Sequence, residues 1–120
     1  MADRAEVKQL LDLGVVSIAD PEVRTIMGLG PLMISAIIPA RNEQRTIKTA
    51  VERVHAAICR AGAMPDIIVI DDGSSDHTGS VMLRVRLSPK PLMLHNERPR
   101  NLGGVFRQGL GYARGEYVFL

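Results

Sequence analysis

The chemistry-bearing residues of this chain gather in three short segments, each placed after a run of apolar residues. Asp71 and Asp72 close the run Ile67 to Ile70 and open the cluster DDGSSD. Asn42 and Glu43 follow ISAII within PARNE, and Arg98, Arg100, Asn101, Gly103 and Gly104 follow PLMLH within NERPRNLGG. Carboxylates accept hydrogen bonds from N–H groups, whereas arginines and backbone amides hold phosphate oxygens. Brought to one edge, the three segments would suit a molecule with an N–H donor at one end and anionic charge at the other, such as a nucleoside diphosphate. Each segment also has a blander reading: DGSSD as turn and helix-cap chemistry, Asn42 with Glu43 as a helix start, Gly103-Gly104 as a tight bend. Convergence on one edge separates the two. His55, His77 and His95 have no second His or Cys at ligand spacing, so no metal site is predicted.

The elements that would position these segments are readable from Ile34 onward. ISAII predicts a strand closed by Pro39, and Asn42 caps a helix whose Ile47, Val51, Val54 and Ile58 repeat at helical spacing up to Gly62. DIIVI predicts a second strand, apolar on both faces as a parallel strand between two helical layers must be. SVMLRVRL predicts a weaker helix capped by Ser75 or Asp76, PLMLH a third strand, GGVFRQGLGYA a helix loosened by internal glycines, and EYVFL a fourth strand. The alternation defines an α/β chain: an open parallel sheet of about four strands with helices on both faces, whose ligands bind outside the carboxyl ends of the strands. Residues 1–33 are expected to form a helical extension. There Val7, Leu10 and Leu11 share a face, Asp20-Pro21 opens a second helix, and GLGP marks the boundary with the main domain, 34–120.

Composition narrows the class. The 120 residues make one domain's length, 46% hydrophobic and 23% charged, with no apolar run long enough to span a bilayer and no secretion signal, so a cytoplasmic protein is expected. The single Cys59 agrees with a reducing compartment. A net charge of +2 and 3% aromatic residues argue against a nucleic-acid partner. The clustering of Arg84, Arg86, Lys90, Arg98, Arg100 and Arg107 suits an anionic ligand or membrane surface, or simply a solvated face.

Taken together, ISAIIPARNE, DIIVIDDGSSDHTG and NLGGVFRQGLGYARGEYVFL, in this order between Ser35 and Leu120, resemble the first half of the family 2 glycosyltransferases, nucleotide-sugar enzymes of the GT-A fold. The dolichol- or polyprenyl-phosphate sugar synthase branch is the most similar. The resemblance implies a Rossmann-like sheet forming part of a GT-A domain, and a UDP-, GDP- or dTDP-linked sugar as donor. It further implies transfer with inversion onto a polyprenyl-phosphate or other acceptor, with peripheral placement at the inner face of the membrane. By position, Pro39, Ala40 and Glu43 would contact base and ribose, Asp72 would accept from the ring N–H of uracil or guanine, and Asp71 would shape the loop. Asn101, Gly103 and Gly104 would lie beside the diphosphate, with Arg98 or Arg100 adding charge.

Two departures accompany the resemblance. The segment between Asn101 and Gly109 is shorter than the family's usual form. In the family, the strand matching EYVFL runs into an Asp-x-Asp motif that holds Mg²⁺ or Mn²⁺, with the catalytic base further on, and Leu120 precedes both. Without that cation the leaving diphosphate is not neutralised. These residues alone are therefore expected to bind nucleotide without turnover, and the last strand, as an open edge, to promote self-association. Two other readings remain: a non-catalytic nucleotide-binding or interaction module, and a phospho-acceptor receiver domain. The receiver reading fits poorly, because the acid pair follows the second strand and no lysine follows the last.

Overall fold

The fold is described from a computed structural model covering residues 2–120. Strands β1 (Met33–Ala40), β2 (Met64–Asp72), β3 (Leu92–Asn96) and β4 (Tyr117–Phe119) form one sheet in the order β3-β2-β1-β4, and every neighbouring pair is parallel. Helices α3 (Ile47–Arg60), α4 (Thr78–Leu83) and α5 (Asn101–Leu110) connect them. The expected α/β architecture, with helices on both faces, is what the chain adopts.

Strand alternation sorts the core into two layers. Ala36 and Ala40 of β1 with Ile67 and Val69 of β2 face α3 and α4, meeting Ile47, Val51, Ile58 and Met82. The intervening Ile37, Ile68 and Ile70 face α5 and meet Val105. Ile68, Val69 and Ile70 are wholly buried, so each contributes about 1.5–3 kcal/mol of apolar transfer. Gly109 does not loosen α5, as its sequence suggested. A Cβ there would fall 2.5 Å from Ile37 Cγ2, so its absence is what lets the helix lie close against β1.

Two helices begin elsewhere than their sequence implied. Asn42 does not cap α3; its backbone is left-handed (φ 53°), and the helix starts only at Ile47. Helix α4 ends at Leu83 because Arg84 and Val85 turn back onto Val81 and Met82, and Val85 enters the core from that turn. Its N-cap position is His77, although Asp76 Oδ1 accepts from the Thr78 backbone N–H at 2.9 Å. Thr78 Oγ1 also donates to that oxygen, and this bond holds the Asp76 carboxyl below its ordinary range.

Helices α1 (Arg4–Asp12) and α2 (Pro21–Ile26) precede the sheet and pack on each other rather than on it. The molecule is accordingly elongated, 56 × 26 × 17 Å. Their tether is Arg24, 7% exposed, which makes a two-pronged ion pair with Glu116 at 2.7 and 2.8 Å and donates to the carbonyl oxygens of Gly30 and Ile18. At the amino-terminal rim of the sheet, buried Asp66 accepts from Ser35 Oγ (2.7 Å) and Arg114 N (2.8 Å), while Ser35 Oγ in turn accepts from Gly115 N. Burial pushes the Asp66 carboxyl up, but the Ser35 and Arg114 hydrogen bonds and the Arg114 charge outweigh it, so it ionises below the usual carboxylate range. Strand β4 is exposed along its whole length, leaving an open sheet edge.

Candidate functional site

All three chemistry-bearing segments leave the sheet at its carboxyl rim. The acid pair ends β2 beside the end of β1, where Ala40 pairs with Asp71, and beside β3, where Asp71 pairs with His95 and Asp72 with Asn96. Period-two alternation then sends the adjacent carboxylates to opposite faces. Asp71 turns toward α4: its Oδ1 accepts from Ser74 N (3.1 Å) and its Oδ2 lies 2.9 Å from His95 Nδ1. Asp72 turns toward α5: its Oδ1 accepts from Arg100 N (2.8 Å) and Asn96 Nδ2 (3.1 Å). Its Oδ2 has no protein partner among the described residues. No buried side-chain polar atom there lacks a hydrogen bond, so Oδ2 opens to the surface.

Asp72 also lines a recess of about 280 Å³, together with Pro39, Ala40, Arg41, Glu43, Asn101, Leu102 and Val105. Five residues singled out from sequence, Pro39, Ala40, Glu43, Asp72 and Asn101, therefore meet around one cavity. The other five lie off its wall. Asp71 is committed to its own loop on the far face, and the exposed Arg98 and Arg100 stand in the β3–α5 connection, where the Arg100 backbone rather than its guanidinium engages Asp72. Gly103 and Gly104 belong to the first turn of α5; Asn101, itself left-handed at φ 60°, accepts there from Gly104 N. Arg41, Leu102, Val105, Asn96 and Gln108 were not singled out. Residues whose contribution is a wall or a fixed amide carry no mark in a sequence.

The wall formed by PARNE is clasped to the DDGSSDHT loop. Asn42 N donates to Ser74 Oγ, and Asn42 Oδ1 accepts from both Ser75 N (2.8 Å) and Ser75 Oγ (3.2 Å). Glu43 N donates to Thr78 Oγ1, Gln44 N to Asp76 Oδ2, and His77 N to Gln44 Oε1. Gly73, at φ 75°, lets the Pro99 ring pack over the turn, where a Cβ would come within 2.9 Å of it. The cleft is thus held open by bonds between its own loops. His95 supports Asp71 from β3, and half-buried His55 places Nε2 3.0 Å from the Ser88 carbonyl oxygen. Cys59 is exposed and unpaired.

A wider depression of 660 Å³ lies at the other end of the sheet against Lys90, Leu92, Tyr112 and Arg114, but its one carboxylate, Asp66, is already committed to Ser35 and Arg114. Among the described residues there is no group of three or more His, Cys, Asp or Glu that could hold a metal ion. None of the described helices is long and apolar enough to cross a membrane.

A parallel α/β sheet with a recess at its carboxyl rim, lined by one carboxylate of an adjacent acid pair, defines a protein of the ligand-binding α/β class. Residues 35–120 match Glycosyl transferase family 2, and the chain belongs to that family. It is 31% identical over 70 residues to undecaprenyl-phosphate 4-deoxy-4-formamido-L-arabinose transferase of Pectobacterium carotovorum, a stretch covering 58% of this chain and 21% of that protein. The chain thus spans about a fifth of that relative's length. Among solved structures it is similar to glucosyl-3-phosphoglycerate synthase of Mycobacterium tuberculosis in complex with UDP (TM-score 0.55, 22% identity, 74% of this chain and 32% of that one). It is also similar to a mannosyltransferase of Pyrobaculum calidifontis in complex with GDP-Man and Mn²⁺ (TM-score 0.61, 18% identity, 96% and 32%). At these identities the likeness establishes the fold.

Proposed function

We propose that the recess receives the nucleoside end of a nucleotide-diphosphate sugar, the donor for glycosyl transfer. The observation that carries this reading is Asp72, which lines a cavity walled by Pro39, Ala40, Glu43 and Asn101 and whose Oδ2, unlike Oδ1, has no protein partner among the described residues; in this reading Oδ2 is the acceptor turned to the ligand. Its volume is close to the ~300 Å³ lower bound of small-molecule sites, room for a base and ribose with the phosphates emerging toward the first turn of α5. There the helix N-terminus and the arginines Arg98 and Arg100 favour negative charge. In this reading Asp71 and the DDGSSDHT clasp keep the wall in place, Gly103 leaves the phosphates an open approach, and Gly104 makes room for the Arg100 side chain.

The acceptor we propose is a polyprenyl phosphate, as the name of the Pectobacterium relative indicates for that protein. Transfer would then occur with inversion, in the cytoplasm at the membrane's inner face. Mg²⁺ or Mn²⁺ belongs to the whole family domain in this scheme. The contribution we propose for residues 2–120 is donor binding. The open β4 edge is proposed to pair with a second copy, which light scattering of the isolated chain would show as a dimer; a monodisperse monomer would exclude it.

Thermal unfolding with and without UDP, dTDP and GDP tests the donor site. A ligand at 100 times its Kd stabilises the chain by about 2.7 kcal/mol, and Asp72→Ala should abolish the effect. Absence of stabilisation by all three, or equal stabilisation of the Asp72→Ala chain, refutes the reading.

A further inference from the structure

The fold leaves the base open, since its solved neighbours include complexes with UDP and with GDP-Man. The hydrogen bonding of Asp72 does not. A carboxylate oxygen has two lone pairs. Both lone pairs of Asp72 Oδ1 are filled, by Arg100 N at 2.8 Å and by Asn96 Nδ2 at 3.1 Å. Asn96 is buried at the end of β3, and its amide cannot turn over freely. Gln108 of α5 donates through Nε2 to Asn96 Oδ1 (3.0 Å) and accepts through Oε1 from Asn96 Nδ2 (2.9 Å). The pair alone would survive reversal of both amides together; it holds the Asn96 amide in plane, and the Asp72 carboxylate decides which end faces it. Reversed, Asn96 Oδ1 would oppose a carboxylate oxygen, acceptor against acceptor.

Resting on the donor-site reading above, we propose that the Asn96–Gln108 amide pair makes Asp72 a single-acceptor base reader, selecting uracil or thymine over guanine. Uracil and thymine present one ring N–H between two carbonyls, which Oδ2 alone satisfies. Guanine presents N1–H and N2–H side by side and needs both carboxylate oxygens. With Oδ1 saturated, its second N–H is left unpaired in a closed contact, the kind of mismatch that discriminates most strongly. Asn96 and Gln108 touch no ligand in this scheme. They are positioning residues that act through Asp72.

The test is isothermal titration of the 120-residue chain with UDP, dTDP and GDP. UDP and dTDP should bind at least about tenfold more tightly than GDP. The double variant Asn96→Leu/Gln108→Leu removes both amides together, strands neither, and frees one Oδ1 lone pair. Its UDP-over-GDP preference should fall by roughly tenfold while UDP affinity changes little. A purely structural role would weaken both nucleotides alike and leave the ratio unmoved. Should the double variant not fold, Asn96→Leu alone, which removes the second donor to Oδ1 and leaves only the half-buried Gln108 to find water, should lower the preference in the same direction. GDP binding as tightly as UDP to the native chain, or an unchanged ratio in a folded variant, overturns the selectivity proposal and leaves the donor site standing. Silence from all three nucleotides overturns both.

Discussion

Replacing Asn42 separates the two properties that make it the keystone of the clasp, its side-chain oxygen and its left-handed backbone. Asn42→Ala removes the acceptor of two hydrogen bonds from Ser75, both solvent-exposed and so about 0.5 kcal/mol each. It also forces a Cβ-bearing residue without a local polar partner to keep φ near 53°, at a further cost of about 1 kcal/mol. Asn42→Gly loses the same hydrogen bonds but tolerates the backbone. The alanine variant should therefore be less stable by about 2 kcal/mol and the glycine variant by about 1, or roughly 8 °C and 4 °C in melting temperature for a domain of this size. Urea unfolding followed by far-ultraviolet circular dichroism measures both. Because the clasp positions Glu43 beside the recess, both variants should also bind nucleotide more weakly, in the same order. An alanine variant as stable as the glycine variant would show that the left-handed turn is not held against strain, and the account of a pre-formed wall would fail with it.

Asp66 gives a pH dependence of defined sign. Its folded-state carboxyl ionises below its unfolded value, so the stabilisation is present above the ordinary aspartate pKa of about 3.9 and lost as pH falls through the folded value. Asp66→Asn should be less stable than the native chain at pH 7 and should lose less stability than the native chain on acidification below about pH 4; urea midpoints at pH 7, 4 and 3 check both. Gly109→Ala should cost about 1–3 kcal/mol by driving a methyl group into Ile37. Ile37→Ala should then be less damaging in the Gly109→Ala background than alone, a coupling that a double-mutant cycle of unfolding energies reads directly.

What the sequence disclosed and what it hid follow from the range of the interactions. The strands were readable because their burial is written locally: four consecutive apolar residues, Ile67 to Ile70, face both layers. The end of α4 was not, because Val85 and Leu87 prolong a helical pattern although Val85 reaches the core from a turn. Asn42 looked like a helix cap since asparagine favours both caps and left-handed turns, and only the facing Ser74 and Ser75 decide between them. Arg24 and Glu116 lie 92 positions apart, and Asn96 and Gln108 meet only once α5 folds back against β1 and β2. Pairings of that kind have no signature in spacing.

The turn-and-cap reading of DDGSSD accounts for most of its polar atoms and leaves a single carboxylate oxygen to the function proposed. Asp71, Ser74, Ser75 and Asp76 are consumed in holding loops together, and of the two adjacent carboxylates only Asp72 keeps an oxygen free. Substitution of the neighbours should therefore give opposite phenotypes. Asp71→Ala strands the Ser74 N–H and releases His95, costing about 1–3 kcal/mol of stability through a contact the nucleotide never makes. Once folded at low temperature, that variant should retain the native preference among bases, because the Asp72 network on the other face is untouched. Asp72→Ala should lose nucleotide binding at every temperature at which it is folded. Unfolding curves and titrations on the same two proteins decide the matter: if Asp71→Ala alters base preference as much as it alters stability, the two faces of β2 are not independent, and the division of labour drawn from strand alternation is wrong.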